Sequence, residues 1–297
     1  MHILITGATG LIGGYLCSAL NKDHKLTVLT RNISKATQQL GPNIHYIDDL
    51  TSVDFNDLDC VINLAGEPIV NKRWSNKQKC ILRNSRITLT QQISNAIKQC
   101  HTPPHTFISG SAIGFYGRQS STHIDEQFVD VTPEFSHRLC NDWEQAALSA
   151  QSTDTRVCLL RTGIVLANNN GALAKMLPPF KLGLGGPIGS GRQGMSWIHI
   201  EDMINLIIHM LTHSQLSGAI NMTAPAPVSN AEFSQHLGKA LNRPAKIPMP
   251  AWILKLAMGE MADLLLYGQY VQPKKALNSH YNFSYPTLDL ALENLLG

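Results

Sequence analysis

Charge is scarce in this sequence: Asp, Glu, Lys and Arg make up 15% of its 297 residues, and aromatic residues 6%. With 43% apolar residues, so weakly charged a chain is globular rather than disordered, and long enough for one large core or two lobes. No basic block stands behind the net charge of +3, so no nucleic-acid partner is expected. No CxxC occurs among the six cysteines (17, 60, 80, 100, 140 and 158). Their scatter fits reduced thiols of a cytoplasmic protein, not a disulfide framework. No HExxH occurs among the twelve histidines, and no metal site is expected. No uncharged run reaches membrane-spanning length, because Lys255, Glu260 and Asp263 interrupt residues 254–266. No membrane partner is expected. The first residues run straight into a strand pattern, and no signal peptide is expected. Repeats and low-complexity tracts are also missing.

What is present begins at Ile3-Leu4-Ile5-Thr6-Gly7-Ala8-Thr9-Gly10-Leu11-Ile12-Gly13. A short apolar run meets three glycines spaced three apart, then a helix-compatible segment. Such a strand–turn–helix brings backbone N–H groups and a helix N-terminus to a phosphate. Gly7 permits the turn, Gly10 the approach of a pyrophosphate, and Gly13 the packing of helix on strand. Thr9, Leu11 and Ile12 belong to the same binding turn. The alternative is a set of ordinary turn glycines. The next strand ends at Thr30-Arg31, where an acid would meet the ribose hydroxyl of NAD and an arginine the 2′-phosphate of NADP. Arg31, with Lys35 one turn on, points to NADP(H); otherwise it is a solvated loop arginine.

A strand follows over residues 43–48, and Asp48-Asp49 falls where the adenine edge would lie. Residues 60–64 form a buried strand. Leu64, Ala65, Gly66 and Glu67 then line the middle of the cofactor. Residues 76–99 read as a helix with Ile81, Ile87, Leu89, Ile93 and Ile97 near helical spacing. Strands alternating with helices give an α/β fold, a Rossmann-like doubly wound parallel sheet.

Residues 106–117 bring in a resemblance. TGATGLIG at the start, NLAG after the fourth strand and SGSA followed by Tyr116-Gly117 resemble the extended short-chain dehydrogenase/reductase superfamily. Within it the chain is similar to the epimerase family subgroup of NAD(P)-dependent epimerase/dehydratases, with its C-terminal region of unknown function. Arg73-Trp74, Trp143-Glu144, residues 160–163, Gly185-Gly186-Pro187, residues 196–199 and residues 273–277 carry the match to the C-terminus. The resemblance implies a cofactor domain over 1–165 and 195–224, and a smaller, mostly C-terminal substrate lobe over 166–194 and 225–297. It implies a small-molecule substrate, a sugar nucleotide or a carbonyl compound, and allows a homodimer.

The superfamily works with Ser, Tyr and Lys. Ser111 matches the serine, and Ser109 precedes it at the cofactor. An acid follows the lysine by four residues; Glu144 fits it, which puts Cys140 at the lysine and Ser136 at the tyrosine. The helix is there, but the pair is not. A serine hydroxyl is a far weaker acid than a phenol of pKa about 10, and acid–base help is worth about 10²–10⁴ in rate. Tyr116 is one substitute, although a Tyr-Gly there also serves packing. Cys140 and His137 are others, weakened by an inert buried thiol and by a helix position facing elsewhere.

Further on, residues 156–165 form a strand whose Arg161 either pairs structurally or faces the cofactor. Residues 168–171 form a turn cluster, and 172–180 a helix ended by Pro178-Pro179. Six glycines in residues 183–194 make a loop suited to covering substrate, with Arg192 and Gln193 its recognition groups and Trp197 beside them. The alternative is a plain connection. His199 is expected to be structural. Asp202 is expected to cap a helix over 203–211. Ser229 and Glu232 make a capping box for a helix through Leu241. A last long helix is expected over 252–266. Two readings follow: an NADP(H)-dependent oxidoreductase or epimerase-like enzyme with Ser111 and Tyr116 catalytic, or a non-catalytic NADP(H)-binding regulatory protein. The division association of some relatives suits the second.

Overall fold

The first strand of the computed structural model shows why the sheet forms. Ile3 and Ile5 are buried on one face and Leu4 on the other, the period-2 alternation of a strand covered on both sides. The structure describes residues 1–168 and 170–297. Seven strands build the sheet: β1 (His2–Thr6), β2 (Lys25–Leu29), β3 (His45–Ile47), β4 (Cys60–Asn63), β5 (Thr106–Ala112), β6 (Arg156–Thr162) and β7 (Gly218–Met222). They are all parallel, in the order β7-β6-β5-β4-β1-β2-β3. The chain leaves β1 toward β2 on one side and returns to β4 on the other. The C-terminal ends therefore open a crevice at that reversal, where such sheets bind ligands.

The same alternation recurs at Val61/Ile62, Phe107/Ile108 and Leu159/Leu160. One face packs on α1 (Leu11–Leu20) and α6 (Ile200–Thr212); the other packs on α3 (Asn76–Gln99) and α4 (Phe135–Leu148). Between them in sequence lie α2 (Ile33–Leu40) and α5 (Gly171–Lys181). A second core joins Leu173, Leu177 and Phe180 of α5 to Phe233 and Leu237 of α7 (Asn230–Ala240) and to Leu288 and Leu292 of the last helix, Leu288–Leu296. Among the described residues no helix is long and apolar enough to cross a membrane, and no group of three metal-ligating side chains occurs.

The helix over 76–99 and the Ser229–Glu232 capping box stand as the sequence reads them. Other boundaries shift for identifiable reasons. The third strand shortens to His45–Ile47. The run over 156–165 breaks at Gly163, where a Cβ would come within 2.5 Å of the Ser196 carbonyl. The chain then crosses over, and Ile164–Ala167 pairs with Trp197–His199 outside the main sheet. Pro178 and Pro179 lie inside α5 instead of ending it, since the Pro178 carbonyl still accepts from the Leu182 N–H. Asp202 lies inside α6, and His199 is the cap, its Nδ1 accepting from the Glu201 N–H at 3.1 Å. The long helix over 252–266 is broken: α8 (Ala251–Met258) stops at Gly259, which takes φ 63°. Of the turn cluster at 168–171, Asn169 lies outside the described residues.

Candidate functional site

At the sheet reversal, the Thr6 hydroxyl donates to Asn63 Oδ1 at 2.6 Å and accepts from the Ala65 N–H at 3.3 Å, tying the ends of β1 and β4 together. Gly7 follows with φ 72°. A Cβ there would stand 2.6 Å from the Leu64 carbonyl carbon, so the turn passes β4 closely only because Gly7 has no side chain. Gly10 caps α1 with no side-chain acceptor on the first N–H groups and no acid in the first turn. Gly10 itself borders the crevice, which sets the positive end of the helix beside it.

The crevice has a volume of about 1090 Å³. Gly7, Thr9, Gly10, Arg31, Leu64, Ala65, Gly66 and Glu67 all line it, as do Asp48 and Asp49 at its far end. Arg31 is exposed and makes no hydrogen bond or ion pair with the described residues. Leu11 and Ile12 do not line it; they turn into the first core, since they occupy the first turn of α1 above the sheet. Ser109 is fully buried within β5.

One pair of residues here escapes the sequence. Arg86 Nη2 donates to the Glu67 carbonyl at 2.9 Å, and Ser85 Oγ accepts from the Glu67 N–H at 3.0 Å. They clamp the turn after β4 from α3, and burial pulls Arg86 below the ordinary arginine value. Both lie on the solvent-patterned side of a regular helix, so only the tertiary fold reveals them.

A second cavity of about 390 Å³ opens between the sheet and the C-terminal segments. Its walls are largely apolar, with Ile113, Leu139, Ile164, Met176, Phe180 and Met195 among them. Ser136 and Cys140 line it together, as i, i+4 neighbours on α4 must. The two positions where the superfamily resemblance puts Tyr and Lys therefore do reach a cavity, but as a hydroxyl and a thiol. Ser136 Oγ donates to Glu134 Oε1 at 3.0 Å. Burial pushes the Cys140 thiol up to about 12, so it stays protonated near neutral pH. Nearby Arg118 donates from Nε to Glu134 at 2.9 Å and from Nη2 to Asp263 at 3.2 Å, over the Tyr267 ring. His137 is tied to the Phe115 carbonyl through Nδ1.

Ser111 and Tyr116 sit elsewhere. Ser111 Oγ donates to Glu144 Oε1 at 2.6 Å. Arg161 holds the same carboxylate at both oxygens, and its Nη1 reaches the Tyr116 hydroxyl at 3.1 Å. That hydroxyl donates to Asn221 Oδ1 at 2.7 Å. Burial pushes the phenol above its ordinary value, with Arg161 opposing. Arg161 also lies 3.5 Å under the Phe115 ring. Ser111 is 4% exposed, Tyr116 0% and Arg161 6%, and none of them lines either cavity. Ser111 and Tyr116, expected to meet substrate, and Arg161, expected either to pair structurally or to face the cofactor, are joined in one hydrogen-bonded network. A carboxylate and a guanidinium out of water complete their bonds with each other and their immediate neighbours.

Of the substrate residues, Gln193 lines the second cavity, its Nε2 donating to the carbonyls of Ile188 and Leu265, each at 2.9 Å. Arg192 is exposed and outside the cavity. Trp197 is 0% exposed and belongs to the second core, because the strand that carries it pairs with Ile164–Ala167. The glycine-rich segment is bonded to the C-terminal region: Gly189 N–H donates to the Met249 carbonyl and Met249 N–H to the Pro187 carbonyl.

Residues 3–222 match the model of the NAD dependent epimerase/dehydratase family, and residues 249–295 a domain of unknown function, DUF1731. An epimerase family protein of Mycobacterium leprae is 39% identical over 294 residues, 98% of this chain and 94% of that protein. The crystal structure of the human epimerase family protein SDR39U1 (isoform 2) with NADPH superposes with a TM-score of 0.91 at 35% identity, covering 100% of this chain and 99% of that one. A UDP-glucuronic acid 4-epimerase mutant of Bacillus cereus, at 20% identity and TM-score 0.79, covers 100% of this chain and 98% of that one and shares the fold.

Proposed function

The chain belongs to the NAD dependent epimerase/dehydratase family, and on that footing we propose that it is an NADP(H)-dependent oxidoreductase or epimerase-like enzyme whose substrate is a compact, largely apolar carbonyl compound. The single observation that carries the reading is the pairing of the two spaces. A phosphate-suited crevice with a bare helix N-terminus and an unengaged Arg31 lies beside a 390 Å³ apolar cavity. The cofactor fits the residues present: the cradle at Gly7 is one that a Cβ would fill, and the 2′-phosphate of NADP has Arg31 to meet it. The human relative, crystallised with NADPH, points the same way. When bound, the cofactor supplies or accepts hydride.

The chain's own residues hold and exclude. Gly7, Gly10 and the first turn of α1 take the diphosphate; Ala65, Gly66 and Glu67, clamped by Arg86, form the middle of the floor. The crevice draws only on the proposed cofactor domain, 1–165 and 195–224, whereas the cavity also uses the proposed substrate lobe, 166–194 and 225–297. Ser136, with its proton directed at Glu134, is one of several polar groups set in a largely apolar wall, with Arg118, Glu134, Gln193 and Asp263 among the others. Arg118, Glu134, Asp263 and Gln193 are already bonded to one another or to backbone carbonyls, which leaves fewer groups free for the many hydroxyls of a sugar nucleotide, whose hydration would be lost over the apolar wall. Ser111, within β5, and Tyr116, just after it, tie that strand and its exit to Glu144, Arg161 and Asn221.

Specific features also favour the second reading, an NADP(H)-binding protein without turnover: a hydroxyl and a protonated thiol replace the phenol and amine on α4. One experiment separates the two. NADPH and NADH are titrated by fluorescence, and NADPH consumption is then followed against apolar aldehydes and ketones and against sugar nucleotides. Tight NADPH binding with turnover of the apolar carbonyls supports the enzyme. Binding without turnover of any compound gives the second reading, and failure to bind either nucleotide removes both.

A further inference from the structure

The C-terminal region exposes apolar side chains in a way the cofactor and substrate sites do not use. In α8, Trp252 is 68% exposed and Leu256 73%. As i, i+4 neighbours they share one helix face. Just before them Ile247 and Met249 are 51% and 41% exposed, two residues apart on an extended segment and so on one side. That segment is bonded along residues 185–189: Ile247 N–H donates to the Gly185 carbonyl, and Met249 N–H to that of Pro187. Leu182 and Leu184 at the start of the partner segment are also exposed. One continuous piece of surface therefore carries six large apolar groups, more than scattered exposure explains.

The charges on and beside these segments are basic up to Glu260, which is paired with Lys79. Lys181, Arg243, Lys246 and Lys255 are exposed on these same segments. No Asp or Glu occurs in residues 233–259 or 163–200, although the whole chain carries 21 acids against 24 Lys and Arg. Exposed apolar side chains that include Trp252, carried on segments whose own charges are basic, suit a surface of negative charge over hydrocarbon. A second copy of this chain fits worse, because joining the face to itself would bring like charges together.

We infer that the face formed by α8 and the paired segments 182–189 and 244–250 docks on an anionic lipid surface. No spanning helix is required, because a helix lying in the interface buries only one side; the sequence, read for spanning length alone, gives no sign of it. The face borders the second cavity. Gly189 packs between Ala251 and Leu266, next to the cavity-lining Ile188 and Leu265. Docking places the rim of an apolar cavity against the source of apolar molecules.

The test uses the full chain and vesicles of phosphatidylcholine with or without phosphatidylglycerol, read by co-flotation and by tryptophan emission. The wild type is expected to float with anionic vesicles only, with a blue shift in emission and loss of binding at high salt. The double variant Trp252→Glu/Leu256→Glu and the charge variant Lys246→Glu/Lys255→Glu should each weaken binding by about tenfold or more. Both should keep the wild-type NADPH titration, which shows that they fold. The inference fails if the wild type ignores both vesicle types, or binds neutral vesicles equally. It fails if the variants bind as well as the wild type. It also fails if sedimentation shows a dimer that either variant dissolves, which would make a second copy the occupant.

Discussion

Arg161 meets Glu144 in a two-point grip, Nε to Oε1 and Nη2 to Oε2, each at 2.9 Å, with side-chain exposures of 7% and 4%. Against the lowering effect of burial, the carboxylate carries Arg161 above the ordinary arginine value. The pair joins α4 to β6 and, through Ser111 and Tyr116, to the segment after β5. Replacing one member leaves the other charge buried and uncompensated. Glu144→Ala is expected to cost about 3–5 kcal/mol, read as a lower urea midpoint. Ser111→Ala removes one neutral donor while Arg161 still satisfies Glu144, and should cost about 1 kcal/mol. If the two variants unfold alike, the network is not organised around the ion pair.

Among the described residues Arg31 has no hydrogen-bond or ion-pair partner, and it lines the crevice. Its guanidinium is available to the 2′-phosphate that distinguishes NADP from NAD. Arg31→Ala should weaken NADPH binding by about tenfold, equivalent to 1.4 kcal/mol, and leave NADH binding unchanged. Fluorescence titration of both nucleotides at low and high salt checks it. A uniform loss for both would place the arginine at the diphosphate instead.

Gly7 and Arg86 show what the sequence can and cannot convey. The β1 turn is local: strand, glycine and helix follow one another, and their spacing states the geometry before folding. The same holds for the helix over 76–99 and for the Ser229–Glu232 capping box, where period and cap lie within a few residues. Arg86 clamps a loop 19 positions away, and nothing in its neighbours announces that. Asp202 misleads for the same reason. An acid at a helix start reads as a cap, yet its carboxylate accepts from the N–H groups of Ser284 and Tyr285, each at 2.8 Å. Ser111 is legible by resemblance, but in the sequence its partner Glu144 serves only as a marker for counting back to the missing pair.

The thiols separate by environment. Cys80 is exposed on α3, whereas Cys17 and Cys140 are buried and pushed up to about 12 by desolvation. Since the thiolate is the reactive form, iodoacetamide on the native protein near neutral pH should alkylate Cys80 first and leave Cys140 untouched. Peptide mass mapping before and after urea denaturation checks the order. Early loss of Cys140 would mean that the second cavity holds the thiol in a more polar setting than its apolar lining indicates.

His199 is bonded to Asn294 of the last helix, and its protonation state is set by its partners. Nδ1 accepts from the Glu201 N–H, so the ring proton lies on Nε2 and is donated to Asn294 Oδ1 at 3.1 Å. His199 is 1% exposed, and its ring centre lies 3.8 Å from that of Tyr285, tilted by 31°. Burial lowers its pKa below 6.5, opposed by Glu201 and Asn294. The unfolded chain therefore binds a proton at a pH where the folded one does not. Stability from this group is fully present above 6.5 and is lost as the pH falls from 6.5 toward the lowered folded value. His209, also lowered by burial, adds in the same direction. Urea midpoints should fall between about pH 8 and about pH 5. In His199→Asn, whose side chain still caps a helix, the midpoint should start lower, for want of the Asn294 bond and the Tyr285 contact, but fall less over the same interval. A slope unchanged by the substitution would assign the acid sensitivity to the other histidines that burial lowers, His209 and His2.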